Sequence, residues 1–168
     1  MKRKLFLASL FLLFAFCANA QKNAYVNTET ILSQMAEYNV AAEKLDNLSN
    51  QYKMLVEREM KNVEQLYNSY MSQKSSLSES QRATREQQII DREKQAKELQ
   101  KKYFGQDGQM QKVSEDLMNP IQQKVQAAID KVAKARGFVF VFDLSLMQGV
   151  VYSDPQYDIT DLVINELK

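Results

Sequence analysis

No histidine occurs among the 168 residues. That absence excludes imidazole general bases, Ser–His and Cys–His nucleophile pairs and the usual zinc sites. Carboxylate-only chemistry would remain, but the acids are spread along helix faces. In "VEREMKNVEQ", for example, Glu alternates with Lys or Arg at helix-pair spacing, which reads as solvated surface. Neither enzymatic activity nor a cofactor nor a metal is expected. The one cysteine, Cys17, lies in a leader segment, so the rest of the chain has no disulfide or thiol nucleophile and depends on packing alone. Breakers are scarce as well, with two prolines and four glycines. Between Thr28 and Arg136 only Pro120, Gly105 and Gly108 interrupt helix-favouring composition. Helices much longer than the usual three turns follow.

Residues 1–20 read as a secretory signal peptide. Lys2, Arg3 and Lys4 form the basic start, Leu5 to Phe16 an apolar run too short for a comfortable membrane span, and Ala18-Asn19-Ala20 the cleavage pattern. Cleavage is expected after Ala20, and Phe16 before Cys17 argues against lipid attachment there. Removing those three residues from 22 basic ones leaves 19 against 21 acidic ones, a formal charge of −2. No basic excess remains to attract nucleic acid.

The mature chain opens with a strand-type run, Ala24-Tyr25-Val26, followed by an N-cap at Asn27 or Thr28 with Glu29 in the first turn. One helix is expected from there. Its apolar residues fall at Ile31, Met35, Tyr38, Ala42 and Leu45, slip in register to Leu48, Tyr52 and Leu55, and continue through Val56, Met60, Val63, Tyr67 and Tyr70. Steps of three and four make a coiled-coil seam. The Ser-rich "SQKSSLSESQ" marks a reversal, and Ser78 with Gln81 fits a capping box. A second helix carries Ile89, Ile90, Ala96, Leu99, Tyr103, Phe104, Met110, Val113, Leu117, Ile121, Val125, Ala128, Val132 and Ala135. An antiparallel hairpin of roughly fifty residues per side would reach about 75 Å. Residues 72–88 offer the seam only Leu77 and Ala83, so the tip is expected to be its least stable part.

"YFGQDGQ" lacks the lysine and hydroxyl of a phosphate loop and the repeated acids of a calcium loop. It reads as an interruption of the arm, with Gly105 and Gly108 as a hinge or bulge. Pro120 should bend the second helix, and Gly137 should end it beside Lys131, Lys134 and Arg136. "FVFVF" is apolar on both faces, which calls for cover on both. "LMQGVVYSD" reads as a partner strand at Val150, Val151 and Tyr152 before a turn at Asp154-Pro155, and "DITDLVINELK" as a short capped helix. The fold class is α+β: a small β-body of about three strands plus short helices, carrying a long antiparallel α-helical hairpin arm. The body comprises residues 21–35 and 120–168 and the arm 36–119. So small a body needs copies of itself for stability.

"AYVNTETIL", "NPIQQKVQAAIDKVAKARGFVFVFD" and "VVYSDPQYDITDLVINEL", joined by the charged hairpin, resemble the Skp/OmpH family of periplasmic chaperones over essentially the whole mature chain. The resemblance implies a homotrimer with three tentacle-like arms around a cavity, in which unfolded outer-membrane proteins are held without ATP in the periplasm. It makes Tyr25, Val26, Phe138, Val139, Phe140, Val141, Phe142, Val150 and Tyr152 the trimer joint. Apolar arm residues suited to varied partners, Tyr52, Met54, Met60, Tyr67, Tyr70, Met71, Tyr103, Phe104 and Met110, are the candidate client contacts. Familiar members of the family are strongly basic, and this near-neutral chain departs from them, which leaves at most transient contact with membrane surfaces. A coiled-coil structural adaptor of the cell envelope is the competing reading; it requires a localised recognition patch, and none is visible between Ser72 and Gln88.

Overall fold

A computed structural model describes residues 22–168; the leader and its cleavage point lie outside these. The chain divides into two compact units, the second being Met35–Gln123 and the first containing residues 22–34 with Lys124–Lys168.

In the first unit β1 (Lys22–Val26) pairs in parallel with β2 (Phe138–Asp143), placing Ala24 opposite Val141, Tyr25 opposite Phe142 and Val26 opposite Asp143. Parallel pairing requires a long crossover, here the whole arm. Alternation in β1 buries Ala24 and Val26. Asn27 caps the short helix α1 (Thr28–Ser33) by accepting from the Thr30 amide at 2.9 Å. The unit's core gathers Val26, Ile31, Ile159 and Val163, all essentially inaccessible, and α1 packs on the last helix, α5 (Thr160–Glu166).

The expected partner strand at Val150–Tyr152 is not formed: among the described residues the sheet has two strands. The second edge of β1 is occupied instead near Asp158, through a single parallel bridge to Tyr25 and an Ile159 N–H to Tyr25 carbonyl bond of 2.9 Å. Residues 148–152 pair with neither edge of the sheet among the described residues. Gly149, at φ 85°, turns the backbone just before Val150.

Asp143 ties β2 to α1. Its carboxylate accepts from the Thr28 amide (3.2 Å) and hydroxyl (2.5 Å) and from the Ser145 amide (3.0 Å) and hydroxyl (2.7 Å). Burial alone would raise the Asp143 pKa, but the bonds from Thr28 and Ser145 outweigh it and hold the group below the ordinary carboxylate value. A depressed folded-state pKa stabilises the fold at pH above the unfolded value, and that contribution is lost as pH falls through the folded one. Asp143→Ala is therefore expected to destabilise the body by about 2 kcal/mol at neutral pH and to flatten the acid limb of the stability profile below about pH 4. Urea unfolding at fixed protein concentration across pH 2–7 measures both.

In the second unit α2 (Ala36–Gln73) runs to a 3-10 turn (Lys74–Ser76), and α3 (Glu79–Phe104) returns. The helix expected to run unbroken from Thr28 is split at Gln34–Met35, where Met35 is extended (ψ 117°) and buried. No glycine or proline stands there; burial of the Met35 side chain accompanies the break. The hairpin seam passes through Ala41, Val56, Val63 and Tyr70, multiples of seven apart once past Ala41, and meets Ala96 on α3. Ser78 and Gln81 form the capping box, with bonds of 3.4 and 2.9 Å.

The tip carries more ties than its sparse apolar residues suggest. Tyr70, 5% exposed, donates its hydroxyl to Glu86. The Lys74 ammonium lies 5.4 Å from the Tyr70 ring centre, and Arg82 donates to the Leu77 carbonyl at 3.1 Å. The second long helix is interrupted, so that α4 (Gln109–Arg136) begins after a four-residue turn. It continues through Pro120 and ends at Gly137, whose φ of 72° needs a residue without Cβ.

Candidate functional site

Two surfaces collect the residues singled out in the sequence, one on each unit. On the arm, Tyr52 of α2 stacks on Tyr103 of α3 with centroids 4.0 Å apart and planes 12° apart, and Phe104 meets Tyr52 edge-on at 6.4 Å. Tyr52–Tyr103 and Tyr70–Glu86 fix an antiparallel register. That register brings Ile90 level with Gln65 and Leu66.

The wheel of each helix then locates the remaining apolar side chains. Relative to the Val56, Val63, Tyr70 seam, Met60, Tyr67 and Met71 are rotated by about 50–100° in the forward sense; Ile90 and Phe104 are rotated similarly from the Ile89, Ala96, Tyr103 seam of α3. In antiparallel helices equal rotations point to the same side of the pair. One lateral face of the hairpin therefore carries Met60, Tyr67, Met71, Ile90 and Phe104. The opposite lateral groove is polar, lined by Asn62, Gln65, Leu66 and Arg92 with Glu59.

Exposure divides the nine candidate arm residues. Met54, Tyr67, Met71 and Phe104 are exposed, while Met60 and Met110 are half-buried. Met54 points away from the hairpin, on the back of α2, as does Val40 one coiled-coil double heptad before it. Tyr70 is spent inside the tip, and Tyr52 and Tyr103 are half-buried against each other. Tyr67, counted into the seam by spacing, is outside it because Leu66 takes the inward position. Ile90, 56% exposed, was missed as a surface residue. Its signal was present: Ala96 and Tyr103 project a seven-residue step back to Ile89, which leaves the adjacent Ile90 outside.

On the body, Val26 belongs to the chain's own core and Tyr25, Phe138 and Val141 are half-buried. Val139, Phe140, Phe142, Val150 and Tyr152 are exposed, the rings of Phe140 and Phe142 lying 6.3 Å apart. Leu146, Met147, Val151 and Tyr157 join them, Val151 being fully exposed. Tyr25, Phe142, Met147, Val150, Tyr152 and Tyr157 line an apolar cleft of about 610 Å³. Residues 144–157 thus extend the surface well beyond "FVFVF". Among the described residues no helix is long and apolar enough to cross a membrane, and no group of acids could hold a metal ion.

Residues 22–167 match the family model described as outer membrane protein, OmpH-like. The chaperone protein Skp of Yersinia enterocolitica is 27% identical over 170 residues, covering 100% of both chains. An OmpH-like outer membrane chaperone of Caulobacter crescentus CB15, known from its crystal structure, shares the fold with a TM-score of 0.65 at 12% identity, over 86% of this chain and 82% of that one.

Proposed function

The chain belongs to the OmpH-like outer membrane protein family, and from that premise we propose that it is an ATP-independent periplasmic holdase that binds unfolded outer-membrane protein precursors between the arms of a homotrimer. The relatives above are described as chaperones. The observation that carries the reading is the stripe of accessible apolar side chains along one lateral face of the arm. A solvated hairpin needs no apolar stripe outside its seam, yet Met60, Tyr67, Met71, Ile90 and Phe104 form one.

Flexible thioethers and amphipathic rings accept many apolar partners without a fixed fit. Contacts of this kind are individually weak, so retention comes from engaging several at once on arms held close together. The body supplies that closeness by association through its exposed face, with Phe140, Phe142, Val150, Val151 and Tyr152 at the joint. Periplasmic placement follows from the leader read in residues 1–20.

Dilution of a urea-unfolded porin into buffer provides the test. Scattering should stay low when about one trimer per porin chain is present, in the absence of nucleotide. Aggregation proceeding as in the porin-only control would remove the proposal.

A further inference from the structure

The interruption between α3 and α4 is not the loose hinge that two glycines suggest. Gly105 is extended (φ −71°, ψ 173°) and its amide still bonds the Lys101 carbonyl at 2.8 Å. Asp107 occupies the left-handed region at φ 58°. The Gly108 amide closes back on the Gly105 carbonyl at 2.9 Å, and the Gly108 carbonyl accepts from Lys112 at 3.2 Å to open α4. A Cβ at Gly108 would lie 2.7 Å from the Gly105 oxygen and 2.9 Å from the Tyr103 oxygen. The turn is closed tightly enough at Gly108 to exclude a side chain there.

Tyr103 belongs to that turn and to the aromatic cluster at once. Its carbonyl forms part of the wall around Gly108, while its ring lies flat on Tyr52 at 4.0 Å. Tyr52 sits in the uninterrupted α2 and acts as a fixed anchor. Moving the Tyr103 backbone to open the turn would drag its ring off Tyr52, and unstacking the ring removes what holds Tyr103 in place.

We propose that Tyr52, Tyr103 and the Gly105–Gly108 turn form a latched joint in the arm, closed while the two rings are stacked and released when they separate. Release frees both tyrosine faces, and the Phe104 edge beside them, for an aromatic side chain of a bound polypeptide. That consequence rests on the client-binding reading; the joint itself does not.

Two measurements test it. Hydrogen exchange on the client-free protein should show the Asp107 and Gly108 amides exchanging about tenfold faster in Tyr52→Ala than in the unsubstituted chain, with the α2 amides near Val63 unchanged. Equal exchange at Gly108 would overturn the coupling. With a urea-unfolded porin bound, the Gly108 amide of the unsubstituted chain should exchange about tenfold faster than in the client-free protein. Unchanged exchange at Gly108 with porin bound would overturn the release step. If the protein binds no porin, the holdase reading fails and the client-free comparison alone decides the joint.

Discussion

Phe140→Glu is expected to abolish assembly, converting the proposed three-copy particle to single chains across at least a hundredfold range of concentration, and to remove protection of unfolded porin with it. Phe140 is 54% exposed within its own chain and packs beside Phe142, so a carboxylate there meets little resistance in the lone subunit. Its penalty arises on association, where an unpaired charge would be driven into an apolar joint; burial of such a group costs several kcal/mol. A factor of one hundred corresponds to about 2.7 kcal/mol, within that range. The apolar surface continues from Phe142 into the cleft it shares with the exposed Met147, Val150 and Tyr152, and soluble monomers seldom leave so many adjacent apolar side chains to water. Sedimentation at several concentrations reads the result directly. A Phe140→Glu protein that sediments as three copies would place the joint elsewhere.

The same residues show what the sequence could and could not disclose. Local signals were legible because their physics is local: the Ser78–Gln81 capping box, the Asn27 cap and the left-handed Gly137 each depend on a few neighbouring atoms. The hairpin was legible because its seam repeats. Misreadings occurred where the deciding partner lies far along the chain. Val150–Tyr152 has strand composition, but the second edge of β1 went to Asp158–Ile159, whose polar Asp-Ile-Thr carries no strand pattern. Thr160 explains the choice: its hydroxyl accepts from the Asn27 amide at 3.0 Å while Asp158 accepts from the Thr160 amide at 2.9 Å, a relay joining the end of β1 to the start of α5. The split at Gln34–Met35 likewise coincides with burial of Met35 and not with any breaker.

On the arm the limit was one of phase. Apolar spacing of three or four admits either Leu66 or Tyr67, and either Ile89 or Ile90, as the inward residue. Only the cross-helix pairs Tyr52–Tyr103 and Tyr70–Glu86 decide between them. Resolving that phase moved Tyr70 from the candidate contacts into the arm's own packing and brought Ile90 out of the seam onto the apolar face.

That rearrangement leads to a second large effect, in the combined substitution Met60→Ser, Tyr67→Ser, Met71→Ser and Ile90→Ser. Each side chain is at least partly accessible, so the hairpin itself should lose little, and circular dichroism should report unchanged helix content. Burying about 30 Å² more of each against a client would contribute roughly 0.75 kcal/mol apiece. A single replacement should then weaken client retention only about threefold to fourfold, whereas the four together amount to about 3 kcal/mol, a factor near 150. Client dissociation rates, compared between single and combined variants, test this additivity. The control is the opposite lateral groove: Asn62→Ser with Gln65→Ser, on the polar side lined by Arg92, should leave dissociation unchanged. If both faces matter equally, capture does not depend on the apolar stripe and the client lies along the whole surface of the arm.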